Sequence, residues 1–374
     1  MKILITGICG FVGSTLAHGL AQSGKVDAIL GIDNLVRPGS AANLQPLRNE
    51  GFAVQVGDIR DAEAFDRHDR VDWVLDAAAL PSVLAGVDGR TASRELIEHN
   101  LYGTVNILEY CRRTGAGFVL LSTSRVYSIV ALAQVNVRVS TKADPDEWPG
   151  GPRFVLDTEQ LLPSGVSHEG ISEAFSTTPP VSLYGSSKMA SEQLALEYSH
   201  AFGFPVWINR CGVLAGAGQF GKPDQGIFSY WIHSWSLHRP LTYIGFGGTG
   251  HQVRDCLHPM DLLPVLLQQI VKNPKLDRCV FNLAGGLNHA ISLAELSAWC
   301  ARRFGHREVG VEIRERPFDL PWIVLDCASA KAAFDFRPQR GLGAIFEEIA
   351  QFAEAQPDWL DLSGGEAIRQ GTCT

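Results

Sequence analysis

The pattern of hydrophobic and polar positions predicts strands that alternate with helices from the first residues. Short apolar runs at 2–6 and 118–121 are typical of strands covered on both faces, as in a parallel sheet. Apolar residues with helical spacing follow at 11–23, 96–113 and 182–200. Further strands are predicted at 27–32, 54–56, 71–75 and 206–209. This order predicts an α/β fold built on a Rossmann-type doubly wound parallel sheet.

The regular alternation stops at residue 128 and resumes after residue 180. The segment between is rich in Pro, Gly, Ser, Thr and acidic residues, and its length predicts short elements and a functional loop. Beyond 215, helices are predicted at 224–238, 259–271, 292–303 and 343–355. We therefore expect a Rossmann domain over 1–215, with return segments near 250–284. A smaller C-terminal α/β substrate-binding lobe is expected over 216–374, with about 15 mobile residues at its end.

Composition and charge narrow the possible functions. The 374 residues are 45% hydrophobic and 19% charged, as in a globular protein, and carry a net charge of −8. An acidic chain of this kind is a poor partner for nucleic acid or an anionic membrane. The pattern predicts neither a signal peptide nor a membrane span, and eight scattered cysteines predict reduced thiols in the cytoplasm. We predict no metal site, because metal-ligand spacing is missing from the sequence.

A glycine-rich turn follows the first predicted strand and opens the first predicted helix. Gly7, Gly10 and Gly13 have the spacing that lets backbone N–H groups approach a pyrophosphate at a helix N-terminus. Asp33, at the end of the second predicted strand, is placed to accept hydrogen bonds from ribose hydroxyls, which favours NAD over NADP. Two roles stay open for Arg37: it either accommodates the 2′-phosphate of NADP or is a solvated arginine in a loop. The other predicted cofactor contacts of this region are Cys9, Phe11, Val12 and Asn34.

Two later strand ends offer further contacts to a dinucleotide. Asp58, followed by Ile59, is placed either to meet the adenine or to form a turn. Ala77 and Ala78 follow the fourth predicted strand, where small residues either leave room for the dinucleotide or serve packing.

Candidate catalytic residues lie at the end of the fifth predicted strand and at the start of the helix over 182–200. Tyr184 and Lys188 are spaced i, i+4 and share one helical face. The ammonium and an oxidised nicotinamide are expected to lower the tyrosine pKa from about 10, so that Tyr184 serves as general base. Thr123 is placed to share the proton of a substrate hydroxyl, and Ser122 and Ser124 flank it.

These motifs together resemble the extended short-chain dehydrogenases/reductases of the nucleotide-sugar epimerase/dehydratase family. The residues that carry the resemblance are the 7–13 loop, 33–35, Asn100, 122–123 with 126–127, Tyr184 and Lys188, 253–255 with His258 and Asp261, 281–282, Arg316 and Asp326. The resemblance implies that Asn100 maintains the active site and that Lys188 also holds the nicotinamide ribose. It further implies that Arg254 and Arg316 face the nucleotide diphosphate of a sugar donor, and that the protein is a homodimer or a tetramer.

The resemblance also bears on the reaction. Dehydratases of this family place Asp-Glu after the catalytic Thr, whereas Ser124 and Arg125 stand here, which disfavours water elimination. Segments 33–40, 170–173, 219–226 and 250–258 are most similar to 2-epimerases of CDP-sugars. That likeness implies transient oxidation of a sugar hydroxyl and hydride return to the opposite face at C2 of a CDP-sugar. The alternatives are a UDP-sugar 4-epimerase, a 4-keto reductase and a nucleotide-sensing binding protein. Gln219, Asp224 and Gln225 are the further candidates for substrate contact.

Overall fold

A computed structural model describes residues 1–66, 70–87, 89, 91–140 and 150–364. Its strands are β1 (Lys2–Thr6), β2 (Ala28–Asp33), β3 (Ala53–Val56), β4 (Trp73–Asp76), β5 (Gly117–Thr123), β6 (Val137–Ser140), β7 (Arg153–Leu156), β8 (Val166–Ser167), β9 (Gly170–Ile171), β10 (Val206–Cys211), β11 (Val213–Leu214), β12 (Thr242–Ile244), β13 (Val253–Leu257), β14 (Val280–Leu283), β15 (Ala290–Ser292), β16 (Gly310–Glu312) and β17 (Trp322–Ile323).

The α-helices are α1 (Phe11–Gln22), α2 (Ala41–Asn49), α3 (Ser93–Ile97), α4 (Gly103–Thr114), α5 (Ile129–Ala133), α6 (Ser182–Phe202), α7 (Ile227–Ser236), α8 (Leu263–Leu267), α9 (Leu293–Phe304), α10 (Ala328–Phe334), α11 (Leu342–Ala355) and α12 (Trp359–Leu362). Short 3₁₀ turns occur at Ala62–Phe65, Ser124–Val126, Phe246–Gly248, Pro259–Leu262 and Leu287–His289, and π-helical turns at Glu98–Tyr102 and Gln268–Lys272.

The central sheet has seven parallel strands in the order β14-β10-β5-β4-β1-β2-β3. The chain starts in the middle of the sheet, builds one edge, and then returns to build the other. Ligands of such sheets bind where the direction reverses, at the carboxyl ends of the strands on either side. The predicted Rossmann-type fold is confirmed, and the crevice at the ends of β1 and β4 is the expected location of the site.

Two hydrophobic clusters cover the two faces of this sheet. Ile3 and Ile5 of β1 point into one cluster, and Leu4 between them points into the other. Both clusters are buried, so the three central positions of the strand all favour an apolar side chain. This two-sided burial is the reason for the continuous apolar runs in the sequence.

The predicted boundaries agree with the structure most closely in the first 215 residues. The helix predicted over 96–113 is broken by the π-helical turn Glu98–Tyr102, and the helix over 259–271 is likewise divided into 3₁₀, α and π segments. The seventh strand, β14, was not predicted as a strand. It is four residues long and pairs with β10 in the central sheet, so the chain returns to this sheet after entering the C-terminal part.

The C-terminal part is organised around the short strand β13. This strand pairs with β11, β15 and β17, while α7, α9 and α11 pack together beside it. Phe346 and Trp299 lie in the cluster that joins these helices. Arg254 of β13 lines the cavity beside the central sheet, whereas Cys256 of the same strand packs in the C-terminal cluster. The strand therefore lies where these two regions meet.

The segment 128–180 contains short elements, as predicted, although residues 141–149 lie outside the described part. Strands β6 and β7 form a hairpin, and β8 and β9 form a second, smaller one. The Phe154 N–H of β7 donates to the carbonyl of His251 at 2.9 Å, and Arg153 Nη1 donates to the carbonyl of Ala290 at 3.0 Å. The first hairpin therefore fastens the segment to the C-terminal part.

Residues 365–374, which belong to the C-terminal segment predicted to be mobile, lie outside the described part of the chain. Among the described helices, none combines the length and apolar character that crossing a bilayer requires.

Candidate active site

The glycine loop between β1 and α1 forms a turn too tight for larger residues. Gly7 has a φ of +66°, and a Cβ there would lie 2.9 Å from the Cα of Ala78. A Cβ on Gly13 would lie 2.2 Å from the Gly7 carbonyl oxygen, so α1 packs directly on the strand end. Gly10 begins the helix without a side-chain cap, and the residues after it line a cleft. Uncapped N–H groups at this point suit an anion such as a pyrophosphate.

Asp33, the last residue of β2, holds this loop in place through hydrogen bonds to its carboxylate. Its Oδ2 accepts a hydrogen bond from the Cys9 N–H at 2.9 Å, and its Oδ1 accepts one from the Leu35 N–H at 2.8 Å. Burial raises the pKa of Asp33, and these N–H donors partly oppose that shift. Asp33 and Asn34 line the cleft as predicted, whereas Cys9 is fully buried behind the loop.

The other predicted cofactor residues divide into those in the cleft and those behind it. Ile59, Ala77, Ala78 and Ser122 line the cleft. Asp58 instead lines a neighbouring groove. Burial alone would raise the Asp58 pKa, but hydrogen bonds from Arg60 and Asn34 outweigh it and lower the pKa. Asp58 thus forms a turn with Arg60 and bonds to Asn34 at the rim of the cleft, and its contact with adenine stays a prediction.

Asn100 lies behind the cleft, in the π-helical turn before α4. Its Oδ1 accepts from the Leu80 N–H at 2.8 Å, and its Nδ2 donates to the Leu80 carbonyl at 3.2 Å and to Ser187 Oγ at 3.1 Å. The side chain therefore braces the loop after β4 against α6. This placement agrees with the supporting role that the resemblance implied.

Thr123 and Tyr184 meet where the cleft opens into a second cavity, and both residues line both spaces. A hydrogen bond links the Tyr184 hydroxyl to Thr123. Burial raises the pKa of Tyr184 to about 12, against the opposing effects of this hydrogen bond and of the Arg125 charge. In the protein by itself, burial thus outweighs the contacts that favour the phenolate, and the lowering expected from the ammonium together with an oxidised nicotinamide stays a prediction.

Lys188 lies one helical turn beyond Tyr184 and is 2% exposed. Burial lowers the pKa of Lys188, and the carboxylates of Asp76 and Glu192 oppose that shift. The ammonium is thus buried within reach of the charges of Asp76 in β4 and Glu192 in α6.

A chain of buried polar groups runs from Ser122 across the sheet. Ser122 Oγ donates to Glu192, which forms an ion pair with Arg210 at 2.7 Å. The guanidinium of Arg210 lies over the Tyr127 ring at 5.2 Å, and the Tyr127 hydroxyl donates to Asn282 Oδ1 at 2.6 Å. These contacts connect β5, α6, β10 and β14, so they fix the strand end that carries Thr123.

The second cavity lies between the sheet and the C-terminal part, and positive side chains line it. Arg254 Nη2 donates to Asp319 Oδ1 at 2.8 Å, and Arg316 Nη2 donates to the Pro223 carbonyl at 3.2 Å. Both arginines and Ser124 line the cavity, and their contact with a substrate stays a prediction. The apolar part of the wall comes from Ile227, Phe228, Ile291 and Leu293. The combination suits a diphosphate joined to a flat, partly apolar group.

The three candidates of the 219–226 loop have different surroundings. Asp224 lines the second cavity and accepts a hydrogen bond from Ser82 Oγ at 2.6 Å, which joins the two parts of the protein. Gln225 lies at the junction and lines both spaces. Gln219 lines the first cleft instead of the predicted substrate cavity. The cause is local, since its amide donates to the Leu214 carbonyl and its backbone oxygen accepts from Trp359 Nε1 at 3.0 Å.

Arg125 is a lining residue that the sequence did not single out as a binding residue. It follows Thr123 by two positions and points into the second cavity, where Nη1 donates to the Phe318 carbonyl at 3.5 Å. The sequence showed that an arginine replaces the acidic residue of the dehydratases at this position. It did not show that Arg125 lines the same cavity as Arg254 and Arg316. Gln252, also unpredicted, lines the same cavity.

Metal-ligating and thiol groups are dispersed in the described part of the chain. Within it, the His, Cys, Asp and Glu side chains form no group of three suited to a metal ion. The seven cysteines of this part are free thiols, and Cys373 lies outside it.

The two spaces together allow a defined kind of chemistry. The first suits a dinucleotide, with a glycine turn, an uncapped helix start and a buried carboxylate. The second suits an anionic ligand held by arginines, and both share the Thr123–Tyr184 pair. A hydroxyl carried by the second ligand can thus reach a proton acceptor beside the first.

Comparison with known proteins gives a family match over most of the chain. Residues 3–147 and 158–284 match the profile of the NAD dependent epimerase/dehydratase family. The CDP-paratose 2-epimerase of Salmonella typhi is 29% identical over 358 residues, covering 91% of this chain and 95% of that protein. The UDP-glucuronate 4-epimerase of Thermodesulfobacterium geofontis is 24% identical over 348 residues, covering 90% and 91% of the two chains.

Solved structures share the fold over almost the whole length. The UDP-glucose 4-epimerase of Thermotoga maritima superposes with a TM-score of 0.72 at 20% identity, covering 96% of this chain and 100% of that one. The UDP-glucuronic acid 4-epimerase of Bacillus cereus, solved with UDP-glucuronic acid and NAD, gives 0.71 at 21% identity, with 95% and 99% covered.

Proposed function

The chain belongs to the NAD dependent epimerase/dehydratase family, and from this premise we propose that it inverts C2 of the sugar in a CDP-sugar. It is an NAD-dependent enzyme of that family. The observation that carries the proposal is the Thr123–Tyr184 pair, which lies at the junction of a dinucleotide cleft and an arginine-lined cavity.

The residues of the first cleft fit NAD. Gly7, Gly10 and Gly13 leave the room that a pyrophosphate needs beside the start of α1, and Asp33 offers a carboxylate to ribose hydroxyls. Asp33 also supports NAD over NADP, although Arg37 lines the same cleft with its guanidinium 5.4 Å from the centre of the Phe220 ring. When bound, NAD supplies the acceptor and then the donor of one hydride.

Tyr184 is the proposed general base. It takes the proton of the sugar hydroxyl while Thr123 holds that hydroxyl by a hydrogen bond. For this step the tyrosine pKa must fall from about 12, the value that burial gives it. A positive charge beside the phenol favours the phenolate, and both Arg125 and the oxidised form of the nicotinamide carry one. Tyr184 returns the proton at the end of the reaction.

The second cavity supports inversion over simple oxidation. Arginines at the diphosphate can hold the nucleotide end while the keto sugar turns beside Tyr184, so hydride returns to the opposite face. Elimination of water would need an acid next to Thr123. Ser124 and Arg125 occupy that position, and an arginine stays protonated throughout the working range.

The support for C2 and for a CDP-sugar comes from sequence similarity to known proteins and not from the geometry of the site. The relative from Salmonella typhi has the highest identity among those described above and covers nearly the whole chain. The UDP-sugar 4-epimerases are also similar over nearly the whole chain. A 4-epimerase acting on a UDP-sugar is therefore the second candidate.

The test is turnover of CDP- and UDP-sugars by the purified full-length protein without added cofactor. We expect NAD to be found in the protein by mass spectrometry, and a C2 epimer of a CDP-sugar to be found by NMR. A C4 epimer of a UDP-sugar would replace the first candidate by the second. Consumption of one added NADH per product would identify a reductase, and binding without any turnover would identify a nucleotide sensor.

We propose that the enzyme acts in the cytoplasm as a homodimer. The supporting feature is the outer surface of α4 and α6. Phe202, beside Arg112 at the C-terminal end of this helix pair, is 50% exposed, and Tyr102, just before α4 at the other end, is 60% exposed. Large exposed aromatic side chains on adjoining helices favour burial against a second copy.

A further inference from the structure

The second cavity contains more positive charge than the sequence predicted. Arg125, Arg254 and Arg316 all line it. Arg254 is paired with Asp319 at 2.8 Å, and the other lining carboxylate, Asp224, lies 3.6 Å from Lys222. The described groups therefore leave about two positive charges in excess in a protein whose net charge is −8. An excess of this size matches the two charges that a diphosphate diester carries.

Arg125 is held more loosely than its neighbours. The guanidinium of Arg254 donates hydrogen bonds to the carbonyls of Val253 and Leu320 and to Asp319. The guanidinium of Arg125 donates a long hydrogen bond of 3.5 Å to the Phe318 carbonyl. Burial lowers the pKa of Arg125 to about 10, and the charges of Arg254 and Arg316 act in the same direction. A half-buried cation with such weak contacts is expected to gain from an anionic ligand.

The backbone places Arg125 at the tyrosine end of the cavity. Residues Ser124–Val126 form a 3₁₀ turn directly after β5. A Cβ on Gly185 would lie only 2.2 Å from the Arg125 carbonyl oxygen, so this turn is packed against the residue next to Tyr184. The charge of Arg125 also acts on the Tyr184 hydroxyl. Arg125 thus lies near the reacting end of the cavity that it shares with the other two arginines.

We propose that Arg125 binds the sugar-proximal phosphate of the donor and so holds the sugar over Thr123 and Tyr184. This inference rests on the nucleotide-sugar function proposed above. Its consequence is a division of labour, in which Arg254 and Arg316 serve the rest of the nucleotide end and Arg125 distinguishes a diphosphate from a monophosphate.

The experiment compares the affinities of CDP, CMP, UDP and UMP for the NAD-loaded full-length protein by titration calorimetry. Arg125→Gln removes the charge and Arg125→Lys keeps it. We expect Arg125→Gln to weaken binding of the preferred diphosphate by about tenfold, the effect of one charge-assisted hydrogen bond, and to leave the matching monophosphate unchanged. Arg125→Lys should recover part of the loss.

Two results would overturn the role of Arg125. One is an equal loss for mono- and diphosphate, which would indicate a general disturbance of the cavity. The other is unchanged affinity for the diphosphate. Arg302→Gln serves as a matched control for the loss of one positive charge, since Arg302 lies in the last turn of α9, away from the residues that line the cavity. If the parent protein binds none of the four nucleotides, the failure lies with the proposed function and not with Arg125.

Discussion

At the scale of single residues, the proposed mechanism depends most on the Tyr184 hydroxyl, which accepts the proton of the sugar hydroxyl. Tyr184→Phe removes the proton acceptor and retains the buried ring, so we expect turnover to fall by about 10²–10⁴-fold with little change in stability. The measurement is the initial rate of epimer formation, with bound NAD and the thermal midpoint as controls for folding. Undiminished turnover in a variant that still holds NAD would contradict the proposed mechanism.

A second residue-scale prediction concerns Asp33. Its carboxylate accepts the Cys9 and Leu35 N–H groups and lines the cleft, so Asp33→Ala should loosen the glycine loop and remove a ribose contact. We expect NAD affinity to fall by at least about tenfold. Asp277→Asn, in an exposed loop, is the matched control and should bind NAD like the parent protein. Equal NAD affinity in Asp33→Ala and the parent would refute this assignment.

At the scale of elements, the ion pair between Glu192 of α6 and Arg210 of β10 is the main test of the framework. Both side chains are buried, and removal of one partner leaves an uncompensated charge. We expect Glu192→Gln or Arg210→Met to lower the free energy of unfolding by about 3–5 kcal/mol. Chemical denaturation of the single and double variants provides the check. The double variant should lose less than the sum of the two losses, and simple additivity would show that the pair is not coupled.

Elements also show what the sequence could and could not predict. The central-sheet strands β1, β2, β4, β5 and β10 were predictable because each is covered on two faces, which produces runs such as 118–121. Strand β14 was missed because four residues after a turn give too little periodicity. The loop Gly7–Gly13 and the pair Tyr184/Lys188 were visible as local spacings. Arg125 was not singled out for binding, because its place in the cavity depends on Phe318, which is 193 residues away in the sequence. The placement of Gln219 in the first cleft was not visible either, because it depends on the hydrogen bond to the Leu214 carbonyl.

At the scale of the whole molecule, stability should depend on the protonation of Asp255 in β13. Burial raises the pKa of this carboxyl to about 7, against hydrogen bonds from the N–H groups of Leu325, Gly286 and Val213. Between about pH 4 and pH 7 the folded state therefore keeps a proton that the unfolded chain has released. Stability from this group is complete at the acidic end and decreases as the pH rises toward 7.

Asp255→Asn cannot titrate, so it should remove this dependence. We expect the free energy of unfolding of the variant, relative to the parent, to rise by about 1.4 kcal/mol per pH unit within that window. Urea denaturation at several pH values measures the difference. A difference that is constant with pH would mean that Asp255 is ionised in the folded protein throughout.

The same scale includes assembly. If α4 and α6 form the proposed dimer interface, then Phe202→Glu should shift the protein from dimer to monomer in sedimentation velocity. Leu161→Glu, at a side chain that is 95% exposed in the segment 128–180, is the matched control and should leave the mass unchanged. A parent protein that sediments as a monomer would refute the proposed assembly.

The central claim is that one hydride leaves the sugar and returns to the same carbon from the other face. The most direct measurement follows a CDP-sugar that carries deuterium at C2, incubated with the purified protein in ordinary water without added cofactor. We expect an inverted C2 that still carries its deuterium, since the hydride never reaches solvent. Inversion with loss of the deuterium to water would contradict it.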